Sequence, residues 1–144
     1  MSAEGSPQFV DSNVLVYAHD RSAGRKRDRA AALLDELWAS EAGCLSIQVL
    51  QEFYVTVTQK VPQPLDQQTA ARIVADLSHW RVHTPTAADV LGAIKLQQRY
   101  QMSFWDAMIV ASAAQLGCAV IWTEDLNPGQ TYGEVRVANP FEAA

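Results

Sequence analysis

Short apolar runs alternate with amphipathic stretches along the whole chain. Gln8-Phe9-Val10 is an apolar run closed by Asp11 and reads as a strand. Ser12 and Asn13 are good helix N-caps ahead of a short helix over 14–18, and residues 21–24 read as a loop. From 25 to about 42, Ala31, Leu34, Leu37 and Trp38 recur at spacings of three and four, which predicts a helix that Gly43 ends. Cys44-Leu45-Ser46 is a second strand, and Ser46 can cap a helix carrying Val49, Leu50, Phe53, Tyr54 and Val57. Pro62 and Pro64 break the chain. A helix over about 66–78 places Ala70, Ile73, Val74 and Leu77 on one face, and Arg81-Val82-His83 is a third strand. Thr86-x-x-Asp89 fits a capping box for a helix bearing Val90, Leu91, Ile94 and Leu96. Ser103 opens another helix that ends near Gly117. Ala119-Val120-Ile121-Trp122 is a buried strand, Asn127-Pro128-Gly129 a turn, and Val135-Arg136-Val137 the last strand.

Strands that alternate with helices predict an α/β domain. The expected sheet is mainly parallel, with four to five strands and helices on both faces. A length of 144 residues fits one domain, 1–144, with 1–7 as a flexible N-terminal segment. The nearly apolar stretch 107–122 is shorter than the roughly 20 residues a membrane span needs. It reads as a buried helix followed by a buried strand. No positively charged N-terminal region precedes an apolar run, so no secretory signal is expected. Cys44 and Cys118 give no disulfide framework, and a reducing, cytoplasmic setting is the expectation.

Charge changes this picture in one respect. The net charge of -5 opposes phosphate binding, but Arg21, Arg25, Lys26, Arg27 and Arg29 place five of the 11 basic residues within 21–29. Cations at the start of a helix do not favour the helix, so the cluster is not there for helix stability; its plain reading is a solvated loop and helix start. Contact with RNA phosphates through Arg25, Lys26, Arg27 and Arg29 is one use; contact with a protein partner competes with it.

The candidate chemistry lies in four carboxylates. Asp11 ends the first strand and Asp125 follows a later one, at the strand ends where open α/β sheets form their sites. Asp106 stands in the first turn of the helix that starts at Ser103, and Glu52 lies on the helix after the second strand. Taken singly, Asp11 and Asp125 are turn residues, Asp106 completes a Ser-x-x-Asp capping box, and Glu52 is a solvated helix residue. A single site explains all four. Carboxylates brought together repel unless a cation neutralises them, and all-oxygen ligation suits Mg²⁺ or Mn²⁺. Metal-assisted hydrolysis of a phosphodiester is the chemistry that fits.

These residues resemble the PIN-domain ribonucleases. Phe9-Val10-Asp11-Ser12-Asn13-Val14-Leu15-Val16-Tyr17-Ala18 resembles their opening motif, Gln51-Glu52-Phe53 the second, and Phe104-Trp105-Asp106-Ala107-Met108-Ile109-Val110-Ala111 the third. Thr123-Glu124-Asp125-Leu126, Gly129-Gln130 and the run from Val135 to Phe141 resemble the usual ending. Within that family the chain is most similar to the VapC toxins of bacterial toxin–antitoxin pairs, over 9–141. The resemblance implies a single PIN-like domain and a Mg²⁺- or Mn²⁺-dependent endoribonuclease with the quartet Asp11, Glu52, Asp106 and Asp125. Asp11 and Asp106 would be the principal metal ligands, with Glu52 and Asp125 completing the shell and orienting the attacking water. Ser12 and Thr123 match positions whose hydroxyls support the site. Glu124 and Asp125 compete for the fourth place, and the family's spacing, an acid two residues after a Ser or Thr, selects Asp125. The resemblance further implies an RNA substrate, a cognate antitoxin and a homodimer.

Trp105 is read as packing rather than as a surface for a base. His19, His79 and His83 show no metal-ligand spacing. No P-loop, Gly-x-Gly-x-x-Gly or Gly-x-Ser-x-Gly occurs, so no nucleotide cofactor and no hydrolase elbow is expected. An Asp-phosphotransfer domain is a weaker alternative, because the dehalogenase-like pattern needs a second Asp where Asn13 stands. A non-catalytic RNA- or protein-binding module of the same fold is the other alternative.

Overall fold

The computed structural model describes residues 6–142. Most of the segment expected to be flexible therefore lies outside the described residues. Six strands form one sheet: β1 (Gln8–Val10), β2 (Gly43–Ser46), β3 (Arg81–His83), β4 (Val120–Trp122), β5 (Thr131–Tyr132) and β6 (Val135–Ala138), in the order β3-β2-β1-β4-β6-β5. All neighbours are parallel except β5, which runs antiparallel to β6. Six helices connect them: α1 (Ser12–Ala18), α2 (Arg25–Ser40), α3 (Ile47–Gln59), α4 (Gln67–Leu77), α5 (Ala87–Tyr100) and α6 (Phe104–Gln115). Helix α1 packs on both α2 and α3, α3 packs on α4, α5 packs on α6, and both α2 and α6 touch β2. All four residues of β2 are buried, so both faces of the sheet are covered there.

The expected sheet of four to five strands is thus one strand short. The missing strand is β5, two residues long at the sheet edge, too brief to show an alternating pattern. Gly133 at φ +63° turns β5 into β6, a backbone geometry that favours glycine. Tyr132 on β5 is buried, with its ring 4.9 Å from that of Tyr100. Residues 21–24, read as a loop, hold a 3-10 turn over Arg21–Ala23 capped by Asp20.

Two helix ends also differ from the reading. Gly43 does not end α2: the helix stops at Ser40, and Glu41 takes the left-handed conformation at φ 58°. Gly43 instead starts β2, where an added Cβ would meet the Trp80 ring at 2.6 Å. The cap of α1 is Asp11, whose carboxylate accepts from Ser12 N at 2.7 Å. Ser12 and Asn13, expected as caps, are thereby left free to reach other parts of the chain. Ser46, Thr86 and Ser103 cap α3, α5 and α6 as expected, and Thr86 with Asp89 forms the full reciprocal box.

Helix α6 is buried on most of its circumference, with Ala107, Met108, Ile109, Val110, Ser112 and Ala113 inside. A buried polar clamp fixes it. Ser112 Oγ lies 2.8 Å from His83 Nδ1, and His83 Nε2 lies 3.1 Å from Asp89 Oδ2. The clamp ties the end of β3 to α5 and to the C-terminal half of α6. Among the described residues no helix is long and apolar enough to cross a membrane. Cys44 and Cys118 are free thiols, both buried.

Candidate active site

The order of the sheet places β1 between β2 and β4, so the C-terminal ends of these three strands lie side by side. Asp11 follows β1 directly and its N–H continues the ladder to Trp122 O at 3.0 Å. Thr123 follows β4 and its N–H bonds Ala138 O at 3.0 Å. Helix α3 begins immediately after β2 and brings Glu52 in from the other side.

Hydrogen bonds join these segments. The Thr123 hydroxyl donates to Asp11 Oδ2 at 2.9 Å and accepts from Asp125 N at 3.0 Å. The Ser12 hydroxyl donates to Glu52 Oε1 at 3.0 Å, and Gln48 Nε2 donates to Glu52 Oε2 at 3.1 Å. Gln48 also donates to Trp105 O at 3.3 Å, which links α3 to the start of α6. Ser12 and Thr123 thus each hold one carboxylate, Glu52 and Asp11 respectively.

Asn13 is the site residue that sequence reasoning missed. Its side-chain N–H₂ donates to Asp125 Oδ2 at 3.0 Å and Thr123 Oγ1 at 3.1 Å, and lies 3.4 Å from Asp11 Oδ2. Its carbonyl accepts from Glu124 N at 3.3 Å. One amide thus stands between two carboxylates that would otherwise repel. The signal was present: an Asn two residues after a strand-end Asp is polar on a helix whose next three residues are buried. Reading it as a helix cap hid it.

The electrostatics tie the quartet together. Burial, above all, pushes the Asp11 carboxyl up to about 7; bonds from Ser12 and Thr123 oppose this, and the charges of Glu52 and Asp125 add to it. Asp106, half-buried at the α6 N-terminus, is also raised, first by desolvation and then by the charge of Asp125, against the lowering effect of Ser103. So Glu52 and Asp125 are felt at Asp11, and Asp125 at Asp106. Ser103 Oγ accepts from Asp106 N at 3.1 Å, as a cap does. Glu124 points elsewhere. It accepts from the Tyr17 hydroxyl at 2.5 Å and pairs with Lys26 at 2.8 Å.

Among the described residues no three acidic, imidazole or thiol groups are gathered closely enough to form a finished metal cage. The donor set is nonetheless all oxygen, and its most buried member, Asp11, is disfavoured as an anion by two like charges. A divalent cation held between these groups would remove that repulsion, so the residues fit Mg²⁺ or Mn²⁺.

The basic cluster splits in two. Arg25, Lys26 and Arg29 line a cavity of about 280 Å³ with Phe141 and Glu142. Arg27 turns to Asp28 at 3.9 Å. Trp105, read as packing, sets its ring edge-on to that of Phe104 at 5.1 Å but is 62% exposed rather than buried.

The PIN domain model matches residues 9–133. No curated protein sequence matches. The fold is similar to that of Mycobacterium tuberculosis VapC20, a Sarcin-Ricin loop cleaving toxin, at 24% identity and TM-score 0.62, over 82% of this chain and 89% of that one. It is similar to a chain of a toxin-antitoxin complex from Klebsiella pneumoniae at 21% identity and TM-score 0.70, over 96% and 100%. It is also similar to a chain of VapBC2 from Rickettsia felis, bound to a promoter DNA fragment, at 15% identity and TM-score 0.66, over 92% and 97%. At these identities the likeness is one of fold, whereas the family model spans most of the sequence: the chain belongs to the PIN domain family.

Proposed function

We propose that this chain is a metal-dependent endoribonuclease, the VapC-type toxin of a toxin–antitoxin pair. The observation that carries the reading is the convergence of Asp11, Glu52, Asp106 and Asp125, each within electrostatic reach of another, at the strand ends of a PIN domain. Asp11 and Asp106 are the principal ligands in this reading, with Glu52 and Asp125 completing the shell. Asp125 takes the fourth place rather than Glu124, because Asn13 holds Asp125 toward Asp11 while Lys26 and Tyr17 hold Glu124 away. When bound, the ion supplies Lewis acidity at the phosphoryl oxygen and an activated water. The chain's own groups keep the four carboxylates oriented: Thr123 on Asp11, Ser12 and Gln48 on Glu52, Asn13 between Asp11 and Asp125. The toxin–antitoxin complexes among the similar structures support an inhibitory protein as partner, and a homodimer acting in the cytoplasm belongs to the same reading.

The test is incubation of purified, antitoxin-free protein with mixed tRNA and ribosomal RNA in Mg²⁺ or Mn²⁺. Discrete fragments that EDTA and Asp106→Asn both abolish are expected. RNA binding without cleavage, from folded protein that takes up Mn²⁺, would favour a non-catalytic binding module instead.

A further inference from the structure

We propose that the cavity between the start of α2 and the C-terminal segment is a phosphate subsite, which holds the RNA backbone beside the carboxylate cleft. The inference rests on the ribonuclease reading and says how an acidic protein grips its substrate.

The cavity, about 280 Å³, has three cations and one carboxylate, Glu142, on its wall. Arg25 is exposed and makes no ion pair among the described residues. Arg29 donates from Nε to Pro140 O at 3.1 Å, which orients the side chain without neutralising it. A fixed guanidinium loses less freedom on meeting a ligand than a free one, and its planar fork matches phosphate oxygens. Lys26 forms the side nearest the cleft. Its ammonium lies 4.8 Å from the Tyr17 ring centroid and 5.5 Å from that of Phe141, and it bonds Glu124 at 2.8 Å. Glu124 precedes Asp125 in the chain, so the Lys26–Glu124 pair links the cavity wall to the quartet.

An anion is the ligand this lining suits, and a phosphodiester is the anion that repeats along the substrate of the neighbouring site. With a net charge of -5, the rest of the surface repels RNA, and attraction is concentrated here. Glu124 acts in the free protein as the internal partner of Lys26. A backbone phosphate competes with it for that ammonium, so removing the carboxylate's charge strengthens binding.

The test measures binding of a fluorescein-labelled single-stranded RNA to full-length Asp106→Asn protein in EDTA across a salt series. Each lost phosphate contact lowers the slope of log K against log salt by about 0.7. Added to that background, Arg25→Ala with Arg29→Ala is expected to weaken binding at least tenfold and to lower the slope by roughly 1.4. Arg29→Lys, which keeps the charge, should hold the slope. Glu124→Gln is expected to tighten binding severalfold at low salt. Arg27→Ala and the distant Arg72→Ala should change neither. Slopes that stay unchanged in the double variant, while the parent still binds RNA, would overturn the subsite and leave the nuclease reading standing. Loss of antitoxin inhibition in its place would assign the cavity to a protein contact. Absence of both binding and cleavage in otherwise native protein would overturn the ribonuclease reading and the subsite with it.

Discussion

Asp11 is the residue on which the site's energetics turn. It is 5% exposed, caps α1, and shares its neighbourhood with two other acids. Its pKa rises from an ordinary 3.8 to about 7 on folding. Between those values the folded chain holds a proton that the unfolded chain has released. The stabilisation is full below the ordinary value and is lost as pH climbs through about 7. In EDTA, Asp11→Asn is therefore expected to gain stability over the parent as pH goes from 4 to 7, by on the order of 1–4 kcal/mol, and to level off above that. Urea denaturation at several pH values reads this directly, and a difference that shrinks with pH would reverse the sign. Asn13 acts through its neighbours. Replacing it with alanine leaves Asp125 without its donor and Asp11 facing Asp125 unscreened. The expected cost is about 10–100-fold in Mn²⁺ affinity, with secondary structure unchanged by circular dichroism. The sequence places Asp11 and Asp125 at strand ends, Asp106 in a helix first turn and Glu52 on the helix after the second strand, and the structure has them at those positions. Asn13 reads locally as a helix cap, because its partners Thr123 and Asp125 lie 110 and 112 residues away.

At the scale of elements, hydrophobic spacing was enough to locate five strands and all six helices, because each longer element buries a continuous apolar stripe. What it could not show was where neighbours press. Gly43 looks like a helix stop in sequence, yet its role is to let β2 pass the Trp80 ring. The Trp80 contact comes from a segment 37 residues on and has no local signature. Gly43→Ala should therefore destabilise the fold by about 1–3 kcal/mol, as overpacking does, even though alanine suits a strand or helix end otherwise. An unchanged urea midpoint would show that Trp80 moves aside freely. Strand β5 escaped for a different reason: two residues at an edge carry too little period to be read, and only the hairpin with β6 defines them. Burial on β5 raises the Tyr132 hydroxyl pKa, and the charge of Asp106 adds to it.

For the whole molecule, the fold brings acids from positions 11 to 125 within each other's electrostatic influence. Parallel strands β2, β1 and β4 end on the same edge, and α1 and α3 start there, directly after β1 and β2. Cation binding should therefore stabilise the entire domain, by roughly 2.7 kcal/mol at a hundredfold excess over Kd. Since Asp11 must release its proton to serve as a ligand, the gain in Tm on adding Mn²⁺ is expected to be larger at pH 8 than at pH 6. A shift of equal size at both values would place the ion away from Asp11. The central claim is that these four acids act together on RNA. Its most direct test is single-turnover cleavage in Mn²⁺ by Asp11→Asn, Glu52→Gln, Asp106→Asn and Asp125→Asn, beside Asp76→Asn as a remote acid on α4. Losses of 100-fold or more in the first three, a smaller but clear loss in Asp125→Asn, and parental cleavage in Asp76→Asn are the expected result. Parental rates in folded Asp11→Asn and Asp106→Asn proteins would contradict it.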